Sequence, residues 1–362
     1  MKAKFASRTV LITGHTGFKG SWLTAWLWTL GARVIGVALD PPSHPSHFEV
    51  AGLAKAIEDH RLDIRDDKAL KHLVSQTQPD FVFHLAAQPL VRQSYLDPVE
   101  TYQTNVLGTL NLLEALRPLE KPCTAVLITS DKCYDNVEWV WGYRETDPVG
   151  GPDPYSASKG AAELAIRSHV KSFFPEATSK IRIGTARAGN VIGGGDWAAD
   201  RIVPDCIRAW SSQETVSVRR PESTRPWQHV LEPLSGYLWL GARLWSDRGN
   251  LDGEAFNFGP APQQDMTVAN LLEAMAERWP GATWQVPEGG AGTGREATLL
   301  RLSCDKALQQ LDWHAVMQFP STVALTIDWY KAWQDGEVDL HDFTVGQIGQ
   351  YTNIARAAGV SW

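Results

Sequence analysis

A tyrosine and a lysine four positions apart, in Tyr155-Ser156-Ala157-Ser158-Lys159, are the side chains best suited to proton chemistry in this sequence. On a helix that spacing puts both on one face. There the lysine ammonium lowers the phenol pKa, so the phenolate becomes a base near neutral pH able to deprotonate an alcohol. Tyr-x-x-x-Lys by itself is common and usually structural, so its surroundings decide its meaning. Upstream, the strand Ala125–Thr129 delivers Ser130, followed directly by Asp131 and Lys132. Alone, Asp131-Lys132 is a solvated charge pair at a strand end. Beside a tyrosine base, the two supply a further acid and base.

A second chemical element lies at the start of the chain. The β-branched run Arg8–Ile12 leads into Gly14-His15-Thr16-Gly17-Phe18-Lys19-Gly20, and a helical pattern covers Ser21–Leu30. Glycines between a strand and a helix let the backbone approach a pyrophosphate, and the helix N-terminus offers amides and a positive dipole end. Thr16, Phe18 and Lys19 share that turn and count among the expected cofactor contacts. A nucleoside-triphosphate loop is the rival, but Lys19-Gly20-Ser21 reverses the Gly-Lys-Ser order it requires. Asp40 ends the next strand, twenty positions after Gly20. A carboxylate there accepts from both ribose hydroxyls and repels a 2′-phosphate, which favours NAD over NADP. A capping role before Pro41 is the plainer alternative for Asp40.

These groups need a scaffold, and the patterning supplies one. Strand-like runs at Arg8–Ile12, Arg33–Leu39, Asp80–Leu85, Ala125–Thr129 and Ile181–Arg187 alternate with helical patterns near Pro98–Leu116 and Tyr155–Phe174. That alternation implies an α/β fold, a Rossmann-type doubly wound parallel sheet covered on both faces. After Asn190 the texture changes: Gly193–Gly195, Pro204, Pro221–Pro226 and the glycine-rich Glu288–Gly294 indicate loops with shorter elements. The expected organisation is a nucleotide-binding domain over residues 1–188, with 225–258 returning to it. A smaller mixed α/β lobe takes 189–224 and 259–362. Trp22 and Trp26, at helical spacing, are expected to pack rather than to bind.

With 362 residues, 43% hydrophobic and 21% charged, the composition is that of an ordinary globular enzyme. A net charge of -7, from 34 basic and 41 acidic residues, argues against a nucleic-acid-coating surface. A few local arginines are still enough to hold phosphates. Cys123, Cys133, Cys206 and Cys304 are scattered, which disfavours a disulfide framework or a zinc site and suits a reducing cytosol. His44 and His47 have a possible metal spacing, but Pro and Ser surround them and a solvated loop is expected instead; no metal is anticipated. No apolar window reaches membrane-span length.

The glycine loop, Leu85-Ala86-Ala87, Asn105 within Thr104–Thr109, Ser130 and the Tyr155/Lys159 pair together resemble the extended short-chain dehydrogenase/reductase superfamily over essentially the whole chain. More narrowly, GHTGFKGSWL at 14–23, TSDKCY at 129–134 and RAGNVIGGGDW at 187–197 resemble the CDP-glucose 4,6-dehydratase subfamily. The resemblance implies bound NAD contacted by the glycine loop, Asp40, Asp63-Ile64, Leu85-Ala86-Ala87, Asn105, Tyr155 and Lys159. It implies a nucleotide sugar held by Gln88, Asn190, Arg225 and, more weakly supported, Arg295. It also implies the chemistry. Tyr155, helped by Ser130, takes the O4 proton as hydride leaves C4, Lys132 removes the acidified C5 hydrogen, and Asp131 protonates the departing C6 hydroxyl. Lys132 departs from the Asp-Glu pair of dTDP-glucose enzymes. A homodimer through the helices near Pro98–Leu116 and Tyr155–Phe174 is implied too, with a tetramer possible. The alternatives are another nucleotide-sugar dehydratase or 4-epimerase of this fold, and a catalytically silent NAD-binding regulator.

Overall fold

In the computed structural model, which describes residues 1–175, 178–246, 251–261, 265–287, 299–360 and 362, seven strands form one sheet. They are β1 (Thr9–Thr13), β2 (Arg33–Ala38), β3 (Glu58–Arg61), β4 (Phe81–His84), β5 (Cys123–Ile128), β6 (Ile181–Ala188) and β7 (Ala255–Phe258). Their spatial order is β7-β6-β5-β4-β1-β2-β3 and every pairing is parallel. The central strands are apolar and buried along their length, as a sheet covered on both faces demands. The order reverses between β1 and β4, and there the carboxyl ends of the strands open a crevice suited to a ligand.

Two apolar cores cover the two faces. One gathers Trp22, Leu23 and Trp26 from helix α1 (Phe18–Thr29) with Leu234 and Leu238. The other gathers Leu112 and Leu116 from α2 (Gly108–Leu116) with Ile166 and Val170 from α3 (Pro154–Phe173). Trp22 and Trp26 are both buried, as expected of packing residues. The elements read from the sequence fall within a few residues of those observed, except near Pro98–Leu116, while strands β3 and β7 and helices Asp67–Thr77, Leu231–Ser246, Phe319–Asp335 and Leu340–Ala357 were not read. Strand β3, Glu58-Asp59-His60-Arg61, went unseen because an edge strand half open to water carries no apolar run. The stretch near Pro98–Leu116 is broken into Pro98–Tyr102, a π-type turn at Gln103–Leu107, and α2.

Helix α4 (Leu231–Ser246) packs on β5 and β6, and β7 completes the sheet edge. The last two helices, α5 (Phe319–Asp335) and α6 (Leu340–Ala357), also lean on this body. Tyr351 meets Trp26 edge to face at 5.5 Å, and Thr344 hydrogen-bonds both His47 and Trp329. The C-terminal residues assigned by sequence to the smaller lobe therefore contribute to the core beneath α1. Among the described residues, no helix is long and apolar enough to cross a membrane.

The pair His44 and His47 departs from expectation. His44 is exposed, but His47 is fully buried, with Nδ1 2.8 Å from Ser21 Oγ and Nε2 3.1 Å from Thr344 Oγ1. Its ring stacks on Trp22 at 4.7 Å, and burial pushes its pKa down to about 3. The correction has a clear cause. Pro and Ser around the pair suggest solvent, whereas Ser46 caps a short helix, His47–Val50, whose inner face carries His47 and Phe48.

Candidate active site

The loop after β1 fits a dinucleotide on steric grounds. Gly14 has a φ of 78°, and a Cβ there would lie 2.6 Å from the Ala86 amide nitrogen at the end of β4. A Cβ on Gly20 would come within 2.0 Å of the Gly14 carbonyl oxygen. Gly17 differs: its Cβ would meet nothing closer than 3.4 Å, so the chain itself does not demand glycine there. Gly17 caps α1 without a side-chain hydrogen bond, which leaves that helix N-terminus open to an approaching anion. Leu85 and Ala86 lock onto this loop, their amides donating to the Thr13 carbonyl (2.9 Å) and the Thr13 hydroxyl (3.3 Å).

Asp40 stands just past β2 with its carboxylate largely in water, 3.9 Å from Arg61. Asp63 is less available than its motif suggests. Both carboxylate oxygens accept from Arg65, which holds its carboxyl below the usual range. Ile64 is buried against Gly108, where a Cβ would sit 2.5 Å from the isoleucine.

The catalytic helix is set by its first turn. Asp153 caps α3, its carboxylate accepting from the Ser156 amide at 2.9 Å, and Pro154 occupies the first helical position. The Tyr155 amide donates to Ser94 Oγ at 3.1 Å. Tyr155 and Lys159 are both buried on one face, with the ammonium 6.0 Å from the ring centroid. Ser130 lies close enough to the phenol to favour its ionised form, and its hydroxyl donates to Asp131 Oδ1 at 2.9 Å. Asp131 is buried, and Gly189 makes room for it: a Cβ there would be 2.7 Å from Asp131 Oδ2.

The electrostatics correct one expectation. Burial pushes Tyr155 up to about 12, partly offset by Ser130, and burial also brings Lys159 down to about 8. The protein alone thus does not make the phenol a neutral-pH base, because desolvation outweighs the opposing influence of Ser130 and the Arg201 charge. Lys132 is exposed, although its neighbour Asp131 is buried. The group that burial does transform is Asp131. Its carboxyl lies above the usual range despite the opposing charges of Lys132 and Lys19 and the Ser130 hydrogen bond. A carboxyl so placed keeps its proton to higher pH, as a general acid must.

Two residues with expected ligand contacts, Asn105 and Gln88, also hydrogen-bond within the scaffold. Asn105, on the π-type turn, accepts from the Gln88 amide (2.9 Å) and donates to Ser158 Oγ (2.9 Å) and the Gln88 carbonyl (3.2 Å). It pins the loop after β4 to the catalytic helix. The Gln88 side chain hydrogen-bonds Thr101 Oγ1 (2.9 Å) and the Leu90 amide (2.6 Å). Just after Asn190, Val191–Ile192 pairs with Gln228–His229, and the Gln228 amide donates to the Asn190 carbonyl at 3.3 Å, while Arg225 pairs with Met266. Arg295, like the glycine-rich Glu288–Gly294 segment, lies outside the described residues.

Other side chains near the site escaped sequence reasoning. Lys19, expected as a cofactor contact of the glycine loop, also has Asp131, Lys159, Arg201 and Asp196 as charged neighbours, and burial brings it down to about 8. Arg201 is fixed by Asp196 at 2.7 Å. Behind the site, Glu163 grips Arg187 with both oxygens at 2.8 and 2.9 Å, and Arg187 reaches the Tyr134 hydroxyl at 2.6 Å. The signal for Glu163 was available, since it follows Lys159 by four residues on the same helix face.

Residues 11–244 match the family described as GDP-mannose 4,6 dehydratase. The CDP-glucose 4,6-dehydratase of Salmonella typhimurium is 48% identical over 334 residues, covering 91% of this chain and 92% of that protein. The chain belongs to the nucleotide-sugar 4,6-dehydratase family. By that membership it is an enzyme. More distant members include the dTDP-glucose 4,6-dehydratase of Xanthomonas campestris, 27% identical over 352 residues, covering 91% and 96% of the two chains. Among solved structures, the dTDP-glucose 4,6-dehydratase DesIV of Streptomyces venezuelae, determined with NAD and TYD bound, superposes with a TM-score of 0.74. It covers 92% of this chain and 99% of its own, at 21% identity, a likeness that speaks to the fold alone. The dehydratase fold thus accounts for the crevice at the strand-order reversal and for the placing of the catalytic helix beside it.

Proposed function

We propose that this enzyme binds NAD and converts CDP-D-glucose to CDP-4-keto-6-deoxy-D-glucose and water. The observation that carries the reading is a buried Asp131, its carboxyl held above the usual range, hydrogen-bonded to the same Ser130 that meets Tyr155. An epimerase has no use for a protonated carboxyl beside its tyrosine; elimination of a hydroxyl does. The 48% identical Salmonella protein, a CDP-glucose 4,6-dehydratase, supports the nucleotide and the sugar.

When bound, NAD would supply an acceptor for the C4 hydride, the hydride for C6 and a positive nicotinamide. That charge acts against the burial that raises Tyr155. Tyr155 receives the O4 proton while Ser130 orients the phenol. The 4-ketone acidifies the C5 hydrogen, which Lys132 removes and, once hydride has been returned at C6, replaces with a proton at C5. Asp131 protonates the C6 hydroxyl as it leaves. Lys159 holds the nicotinamide ribose, and Asn190 and Arg225 meet the diphosphate, a planar fork suiting two phosphates.

A homodimer is part of the same reading. Tyr95, Leu96, Val99, Leu107 and Leu164 are exposed on neighbouring helices, more apolar surface than scattered single residues present. The deciding experiment offers the purified enzyme CDP-, dTDP-, UDP- and GDP-glucose and identifies products by mass spectrometry and NMR. Release of water from CDP-glucose in preference to the others is expected. A C4 epimer as sole product would overturn the dehydratase reading.

A further inference from the structure

We infer that Arg61 is the second half of the device by which this chain tells NAD from NADP: it holds Asp40 toward the ribose diol and is the cation that would receive a 2′-phosphate once the Asp40 charge is removed. The inference rests on the NAD reading above and names the residue that sets its selectivity.

Asp40 has little to fix it by itself, because its side chain extends into water past the end of β2. Its charged neighbour is Arg61 on the adjacent strand, Nη1 lying 3.9 Å from Asp40 Oδ1, and Arg61 is in register with Ala38. The guanidinium itself is anchored. Nη2 donates to Asp59 Oδ2 at 2.8 Å, Nη1 donates to the Leu39 carbonyl at 3.0 Å, and the group lies over the Phe48 ring at 5.3 Å. Asp59 is held in turn by His15 Nε2 at 2.9 Å. The Leu39 carbonyl also accepts from Thr16 Oγ1 at 3.1 Å, so the guanidinium and the glycine loop share one anchor. Arg61 cannot swing away without breaking these contacts.

A cleft of about 550 Å³ opens in front of this pair, with Lys55 and His44 also lining it. In the native chain Asp40 and Asp59 both oppose the Arg61 charge, and a phosphate dianion entering here meets the Asp40 carboxylate first. Without Asp40, Arg61 keeps one carboxylate partner, Asp59, and lines the cleft with Lys55 as a second cation against the single carboxylate of Glu49. A charge-assisted contact of this kind is worth roughly tenfold or more in affinity. Removing Asp40 should therefore create a preference for NADP rather than merely relax the preference for NAD.

The test measures NADH and NADPH dissociation constants by fluorescence on the purified, cofactor-stripped full chain, with thermal unfolding to verify folding. Four proteins are compared: wild type, Asp40→Ser, Asp40→Ser/Arg61→Gln and Asp40→Ser/Arg61→Lys. Wild type is expected to favour NADH, and Asp40→Ser to favour NADPH. The Gln double variant is expected to lose about tenfold of the NADPH gain, while the Lys double variant keeps most of it. The proposal is overturned if the Gln double variant has the same NADPH-to-NADH ratio as Asp40→Ser, or if the Lys and Gln variants lose the gain equally. A wild type that binds neither dinucleotide would instead sink the cofactor reading, and this proposal with it.

Discussion

Ser130 is the residue through which the two halves of the chemistry touch, since it meets both the Tyr155 phenol and the Asp131 carboxyl. Tyr155→Phe keeps the ring packing and removes the proton acceptor. We expect turnover to fall by roughly 10²–10⁴-fold, with NADH binding and unfolding temperature near wild type. Asp131 and Lys132 are separable by isotope. In Lys132→Met, bound NADH should accumulate while C5 hydrogen exchanges with deuterated solvent very slowly. In Asp131→Asn, exchange should persist while loss of the C6 hydroxyl slows. Exchange as fast as wild type in Lys132→Met would move the C5 base elsewhere, and its exposure makes that variant the sharper test. The raised Asp131 carboxyl also carries a pH sign. A general acid works while protonated, so turnover should fall as pH rises through its elevated pKa. Asp131→Asn should flatten that limb.

At the level of elements, helix α3 is the part that must not move, and it is held at both ends of its active face. Asp153 and Ser94 fix its first turn, Asn105 ties Ser158 to the loop after β4, and Glu163 clamps Arg187 at the end of β6. The Glu163–Arg187 pair is buried, with Thr129 donating to the same carboxylate at 2.5 Å. Removing one charge from such a pair leaves the other desolvated and uncompensated. Glu163→Gln should therefore cost roughly 3 kcal/mol in chemical unfolding, and turnover should fall with it because Lys159 lies one turn away. A loss of stability under about 0.5 kcal/mol, the level of an exposed pair, would mean that the clamp carries no structural burden.

Across the whole molecule, the C-terminal helices are stitched to the sheet through one buried carboxyl. Glu232 on α4 accepts from the amides of Val316 (2.9 Å) and Met317 (2.5 Å), and from the Tyr351 hydroxyl (2.9 Å) on α6. Burial outweighs these donors and raises its pKa from 4.5 to about 7. The folded value lies above the unfolded one, so its contribution to stability is fully present below about 4.5 and is lost as pH rises through about 7. Unfolding free energy should drop by on the order of 2 kcal/mol between pH 5 and 8 from this group. Glu232→Gln, which keeps an acceptor for the two amides and stays neutral, should remove that part of the slope. An unchanged slope in the variant would place the pH dependence in other groups.

The local patterns in this sequence determined the parallel sheet, the glycine loop and the catalytic helix. Each depends on short-range rules: apolar runs between helical periods, glycine where a backbone must approach a phosphate, and two side chains four residues apart. What is polar yet internal was not legible, because a composition of Pro, Ser, His, Glu and Arg looks like surface until a distant segment covers it. His47 is buried by Thr344, nearly three hundred residues away; Glu163 finds its partner in Arg187; and β3 pairs without an apolar residue. Tertiary structure also decided the protonation states. Desolvation depends on everything packed around a group, so it raised Tyr155 and Asp131 while leaving Lys132 in water, although Asp131 and Lys132 are adjacent in the chain.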